Sequence, residues 1–231
     1  YIGLAASQFK TNCGLVSVIG DDFENLHSDL LKSKGLDLSG VELIPNEKTF
    51  FWRGKYHNDL NTRTTIDTQL NVLTKFKPIV PDNFKDSSIV LLGNLDPNLQ
   101  GAVLDQMVKP KLVIMDTMNF WIESYREKVD EVISRVDVLS INEEEARQLA
   151  KTQSLVESAQ KLQSMGPRYI VIKKGEHGAL LFSGKKFFYA PAIPLSEVFD
   201  PTGAGDSFIG GVAGYLSQCK RVSFKDMKAA I

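Results

Sequence analysis

The segment Asp200-Pro201-Thr202-Gly203-Ala204-Gly205-Asp206-Ser207-Phe208 sets two glycines around a small residue where a polar loop enters an apolar helix. The first turn of a helix has backbone N–H groups without intrahelical partners and carries the positive end of the dipole, so this junction attracts anions. Glycine allows close approach to a phosphate that a Cβ would hold off. A carboxylate here, Asp206, would repel that phosphate. Its presence makes sense if it takes a proton from a hydroxyl attacking the phosphorus. Taken alone, Asp206 can also be read as an acidic residue that suits a first helical turn, the lesser of the two readings. Two other phosphate loops are excluded. No G-x-x-x-x-G-K-[ST] occurs, and Phe208 stands where a dinucleotide fingerprint needs its third glycine, with no βαβ unit after it.

Positioning such a junction requires a scaffold, and the chain has the rhythm of one. Residues 15–20 are a β-rich run, followed by a helical stretch over 23–34 that Gly35 stops. Residues 41–69 alternate apolar and polar and turn at His57-Asn58-Asp59, the pattern of antiparallel strands with one exposed face. From residue 88 short apolar strands (89–93, 112–116, 138–141, 169–172) alternate with helices over 98–107, 123–135, 143–151 and 155–164. That alternation implies a parallel sheet covered on both faces. A hairpin joins 179–183 to 186–189 at Gly184-Lys185, and a last long helix starts near Ala204. The expected fold is α/β, with a core over 1–40 and 70–231 and a small β lobe over 41–69.

Ligands of such sheets gather at the carboxyl ends of the strands. The polar residues there are Asp116 and Asn119, Asn142 and Glu145, and Lys173 and Lys174. Glu143-Glu144-Glu145 also fits an acidic first helical turn. Lys173 and Lys174 read either as phosphate contacts or as a solvated strand end. Phe50, Phe51 and Trp52 fit three roles: lobe core, a surface for a second copy, or one ring stacked on substrate.

Composition narrows the partners. Lys and Arg number 27 against 28 Asp and Glu, with no basic block, so no electropositive face for nucleic acid is expected. No apolar run approaches the roughly 18 residues that span a bilayer. Cys13 and Cys219 lack metal-ligand spacing, the three histidines are scattered, and a reduced, cytoplasmic setting is expected. The opening at Tyr1 does not read as a signal peptide, and both ends read as cut.

The run Asp-x-Thr-Gly-Ala-Gly-Asp-Ser-Phe, followed by Gly210, Gly211, Ala213 and Gly214, resembles the C-terminal signature of the PfkB, or ribokinase-like, carbohydrate kinases. Asn142-Glu143-Glu144-Glu145 resembles that family's Asn-x-x-Glu segment. Lys173-Lys174-Gly175-Glu176-His177-Gly178 resembles its nucleotide loop, and Asp116-Thr117-Met118-Asn119 its Asp-x-Asn element. The resemblance spans nearly the whole chain. It implies a ribokinase-like three-layer α/β/α fold with a mostly parallel sheet and a β-sheet lid at 41–69. It also implies transfer of the γ-phosphoryl of ATP, with Mg²⁺, to a hydroxyl of a small sugar or sugar-like alcohol. Asp206 would be the base, and the amides of Gly203, Ala204 and Gly205 the anion hole. Asn142, Glu145, Lys173, Lys174, Gly175 and Gly178 would hold the nucleotide, with Glu145 toward Mg²⁺. Asp200 and Thr202 would border a monovalent cation such as K⁺, and the lid would offer a surface for a homodimer. Nucleosides, vitamin-like alcohols and a silent nucleotide-binding protein are the alternatives. Three features depart from the family pattern. Pro201 replaces a commoner Thr, Phe120-Trp121 stand where many relatives carry Arg, and Lys173-Lys174 are more basic than usual. The family's first strand with its sugar-binding Asp, and its Gly-Gly loop, would precede Tyr1.

Overall fold

The structure is a computed structural model that describes residues 1–57 and 63–231. The expected turn at 57–59 therefore lies largely outside the described residues. Its principal sheet has six strands in the order β10-β9-β8-β7-β6-β5. Four are parallel: β5 (Ile89–Leu92), β6 (Leu112–Asp116), β7 (Val138–Asn142) and β8 (Tyr169–Lys173). The hairpin β9 (Ala179–Ser183) and β10 (Lys186–Ala190) continues the sheet antiparallel.

Side-chain alternation splits the strand residues between two cores. Val113, Met115, Leu139, Ile141, Ile170 and Ile172 face one side. There they meet α4 (Pro97–Leu104), α5 (Asn119–Ser124), α6 (Arg126–Ile133), α7 (Glu143–Ala150) and α8 (Leu155–Ser164). Leu112, Ile114, Val138, Tyr169 and Val171 face the other side, against α9 (Ala204–Ser217) and α10 (Phe224–Ala230). The result is the three-layer α/β/α arrangement. The same parity has a functional consequence. Asp116, Asn142 and Lys173, at the carboxyl ends of β6, β7 and β8, continue the α9-facing rows.

The N-terminal helix α1 (Ile2–Ser7) packs on α9. Gly210 and Gly214 permit this, because a Cβ on either would meet the backbone of Ile2 or Ala6. Next come β1 (Cys13–Gly20), α2 (Asn25–Ser33) and β2 (Leu36–Ile44). β1 and β2 pair parallel in a separate two-stranded sheet. Residues 41–44, expected in the small lobe, thus end β2. Its alternating burial reflects one open face of a parallel pair, and sequence pattern alone does not distinguish that from an antiparallel strand. A cleft of about 150 Å³, lined by Gly14 and Val16 of β1 and the whole of β5, lies between the two sheets.

The antiparallel pair β3 (Phe51–Tyr56) and β4 (Arg63–Gln69) forms a third sheet. It packs mainly on itself. A short helix, α3 (Asp82–Lys85), then leads into β5. The helix expected over 123–135 is two helices, broken at Tyr125, whose non-helical backbone (φ −135°, ψ 38°) ends α5. Among the described residues no helix is long and apolar enough to cross a membrane.

Candidate active site

Helix α9 starts on Gly203, whose φ of +78° is left-handed. Any side chain there would be strained, and its Cβ would stand in the Tyr1 ring. Of the first-turn amides, Ala204 N–H already donates to Pro201 O at 3.1 Å. Gly205 and Asp206 carry the donors that have no intrahelical acceptor. The free donors at the tip are therefore set one residue further along than the glycine-flanked triplet alone implies.

Asp206 sits half-buried in this turn. Burial pushes its carboxyl above the usual range, and the charge of Asp116 adds to the rise. Lys173 partly opposes it. A carboxylate held reluctantly ionised is a better proton acceptor than an exposed one, as a general base requires.

Lys173 links the sheet to this turn. Its Nζ lies 2.9 Å from Asp116 Oδ1, with the two side chains only 19% and 8% exposed. The same Nζ reaches the first turn of α9, 3.4 Å from where a Cβ on Gly205 would stand. Gln100 fixes the Asp116 backbone by donating to its carbonyl at 3.0 Å. Facing Asp116 in the β6–β7 register is Ser140, wholly buried and with no hydrogen-bond partner for its Oγ among the described residues.

Asn142 and Glu145 form a capping box at the start of α7. Asn142 Oδ1 accepts from Glu145 N–H at 2.8 Å, and Asn142 N–H donates to Glu145 Oε2 at 2.7 Å. This buries Glu145 at 4% exposure next to the strand end. Lys174 points elsewhere, pairing with Glu143 Oε1 at 2.6 Å. That hydrogen bond, helped by Arg147, holds the Glu143 carboxyl below its usual range. The two adjacent lysines thus separate, one toward Asp206 and the other onto α7.

The loop after β8 turns on two glycines. Gly175 has φ +54° and Gly178 φ +94°. A Cβ on Gly178 would lie 2.0 Å from Ala190 O, so this position excludes every other residue. Lys174 N–H donates to Gly178 O at 2.8 Å and closes the turn.

Asp200 Oδ1 accepts the N–H of Thr202 at 2.8 Å, and its contacts with Thr202 hold its carboxyl below the usual range. Thr202 Oγ1 lies 3.2 Å from the hydroxyl of Tyr56 on β3. This brings the small antiparallel sheet to the loop that leads into α9. Asn119 turns away and donates to Gln148 on α7.

The structure therefore brings Asp206, Gly203, Ala204, Gly205 and Lys173 together, with Asn142 and Glu145 at the adjacent strand end. It leaves Lys174 and Asn119 to one side. Sequence reading missed the Asp116–Lys173 pair and Tyr56. The signal for the pair was present: both residues continue the α9-facing parity of buried strands. Tyr56 offered none, since its partner lies 146 positions away.

Comparison with known proteins shows what the chain is similar to. A cytidine kinase from Thermococcus kodakarensis is 31% identical over 97% of this chain and 83% of its own length. A nucleoside kinase from Methanothermobacter thermautotrophicus is 26% identical over 91% of this chain and 67% of its own. Among solved structures, the nucleoside kinase of Methanocaldococcus jannaschii superposes with a TM-score of 0.79 at 19% identity, covering 99% of this chain and 74% of the other. A ribokinase II from E. coli in complex with ATP and Mg²⁺ reaches 0.82 at 19% identity, covering 99% and 77%. Residues 3–230 match the pattern of the pfkB family of carbohydrate kinases, and the chain belongs to that family.

Proposed function

We propose that this kinase transfers the γ-phosphoryl of ATP to a hydroxyl of a small ribose-bearing acceptor, a nucleoside being favoured over a free sugar. The observation that carries the reading is Asp206, a carboxylate with raised proton affinity at the tip of α9 beside a partly buried lysine. A sugar is the acceptor that the sequence motifs alone favour. The similarity of nearly the whole chain to a cytidine kinase moves the balance to nucleosides.

In this reading Asp206 accepts the hydroxyl proton as the oxygen attacks. The free amides of Gly205 and Asp206, with Gly203 and Ala204 shaping the turn, meet the charge on the transferred group. Lys173 stands close enough to share that charge. Gly175 and Gly178 turn the loop beneath the nucleotide, as the family resemblance implies. Asp116, at the end of β6, and Glu145, in the first turn of α7, are the carboxylates that would hold Mg²⁺ brought with ATP, which would supply charge neutralisation at the phosphates. Asp200 and Thr202 form a local turn that fits the edge of a monovalent-cation site. Tyr56 ties the lid to the reacting region, and a closed lid keeps water from the phosphoryl group.

A screen of ADP release across nucleosides, free sugars and vitamin-like alcohols tests the assignment. The expected result is the highest kcat/KM on a ribonucleoside, with free ribose well below it. Tight ATP binding with no turnover on any acceptor would mean a silent nucleotide-binding protein.

A further inference from the structure

Three aromatic residues open the small sheet, and the structure separates them. Phe50 and Phe51 are exposed, at 40% and 44%. Trp52 lies on the opposite face of β3 from Phe51. It belongs to none of the hydrophobic clusters among the described residues, so it is not core.

Two contacts fix the Trp52 side chain. Its benzo ring occupies the space that a Cβ on Gly54 would fill, with ring carbons 2.3 and 2.4 Å from that point. Its Nε1 donates to Thr65 Oγ1 at 3.2 Å across the β3–β4 pair. Trp52, Gly54 and Tyr56 alternate onto one face. The hydroxyl of Tyr56 touches Thr202, so this face looks toward the tip of α9. Trp52 lies four residues from Tyr56, about 13 Å along the strand. That is room for the body of an acceptor whose hydroxyl is at Asp206. With its N–H satisfied within the sheet, the indole has only its π-face left to offer.

We infer that Trp52, seated over Gly54, is the surface on which the planar ring of the acceptor stacks, and so selects heteroaromatic ribosides over free sugars. This rests on the kinase reading above and adds the residue that sets acceptor class. Base–aromatic stacking is sequence-tolerant, because every base has a π-face. The site should therefore discriminate base from no base more strongly than one base from another.

Kinetics of Trp52→Leu with cytidine and with D-ribose test the inference. KM for cytidine should rise roughly 5- to 100-fold with kcat within about threefold, the range that loss of one stacking contact implies. KM for ribose should not move. Gly54→Ala, which retains the indole but drives it off its seat, should shift cytidine KM the same way and guards against a folding defect in the first variant. The chain has two tryptophans. In a Trp121→Phe background, excitation at the red edge should therefore report Trp52 alone, quenched by cytidine and not by ribose. Unchanged cytidine KM in both variants, or no quenching, would overturn the stacking role and leave the kinase assignment standing. Turnover of ribose with none on any nucleoside would overturn the nucleoside reading and this inference with it.

Discussion

Asp206→Asn is expected to lower kcat by about 10²- to 10⁴-fold, the usual contribution of a positioned general base, while ATP affinity changes little. The amide keeps size and shape at the tip of α9 and removes only the ability to hold a proton. A stability measurement on the same variant separates this role from a structural one. Burial raises the Asp206 pKa, and the charge of Asp116 raises it further. A carboxyl with a raised folded-state pKa contributes stability that is complete below its unfolded value and is lost as pH rises through the folded value. Above the unfolded value Asp206 therefore works against folding, and at neutral pH the Asn variant should have a higher Tm than the parent. Lower activity with higher stability is the signature of a residue kept for chemistry. An ordinary acidic first-turn residue, as the sequence alone also allowed, would lose stability on neutralisation.

Lys173→Met should have the largest effect on stability, and a large one on turnover. It leaves the Asp116 carboxylate, 8% exposed, without the ammonium group 2.9 Å away. Breaking a buried pair from one side costs about 3–5 kcal/mol. For a protein of this size that is a fall in Tm of roughly 6–20 °C, measurable by calorimetry. Turnover should fall as well, because the lysine also opposes the rise in the Asp206 pKa and stands beside Gly205. Lys173→Arg, which keeps the charge, should recover much of the stability. A methionine variant that unfolds at the parental temperature would mean that the pair is solvated and has no part in the site.

Much of the scaffold was legible in the sequence because buried parallel strands leave a plain mark. Residues 112–116, 138–142 and 169–173 are short, apolar and flanked by helical periodicity, and each is buried as expected. The hairpin at 179–190 was legible from its turn at Gly184-Lys185, where Gly184 adopts φ +56°. The β2 boundary was not, since Leu36–Ile44 alternates like a half-exposed antiparallel strand and only its pairing with β1 shows otherwise. The tip of α9 was readable as a site because its glycines are contiguous with Asp206. The Asp116–Lys173 and Tyr56–Thr202 contacts join residues 57 and 146 positions apart, and depend on strand order and sheet packing that no local pattern encodes. The capping box adds to what the family resemblance implied: Asn142 and Glu145, read as nucleotide and metal residues, also hydrogen-bond to each other.

The pH dependence of kcat/KM, measured on the parent and on Asp206→Asn, bears most directly on the base. For the parent, log kcat/KM should climb with unit slope through an apparent pKa clearly above the ordinary Asp value of about 3.9, then level off. The residual activity of the Asn variant should lack that limb. A parental profile still flat on approach to the ordinary Asp value, or an identical acid limb in both proteins, would contradict the assignment of Asp206.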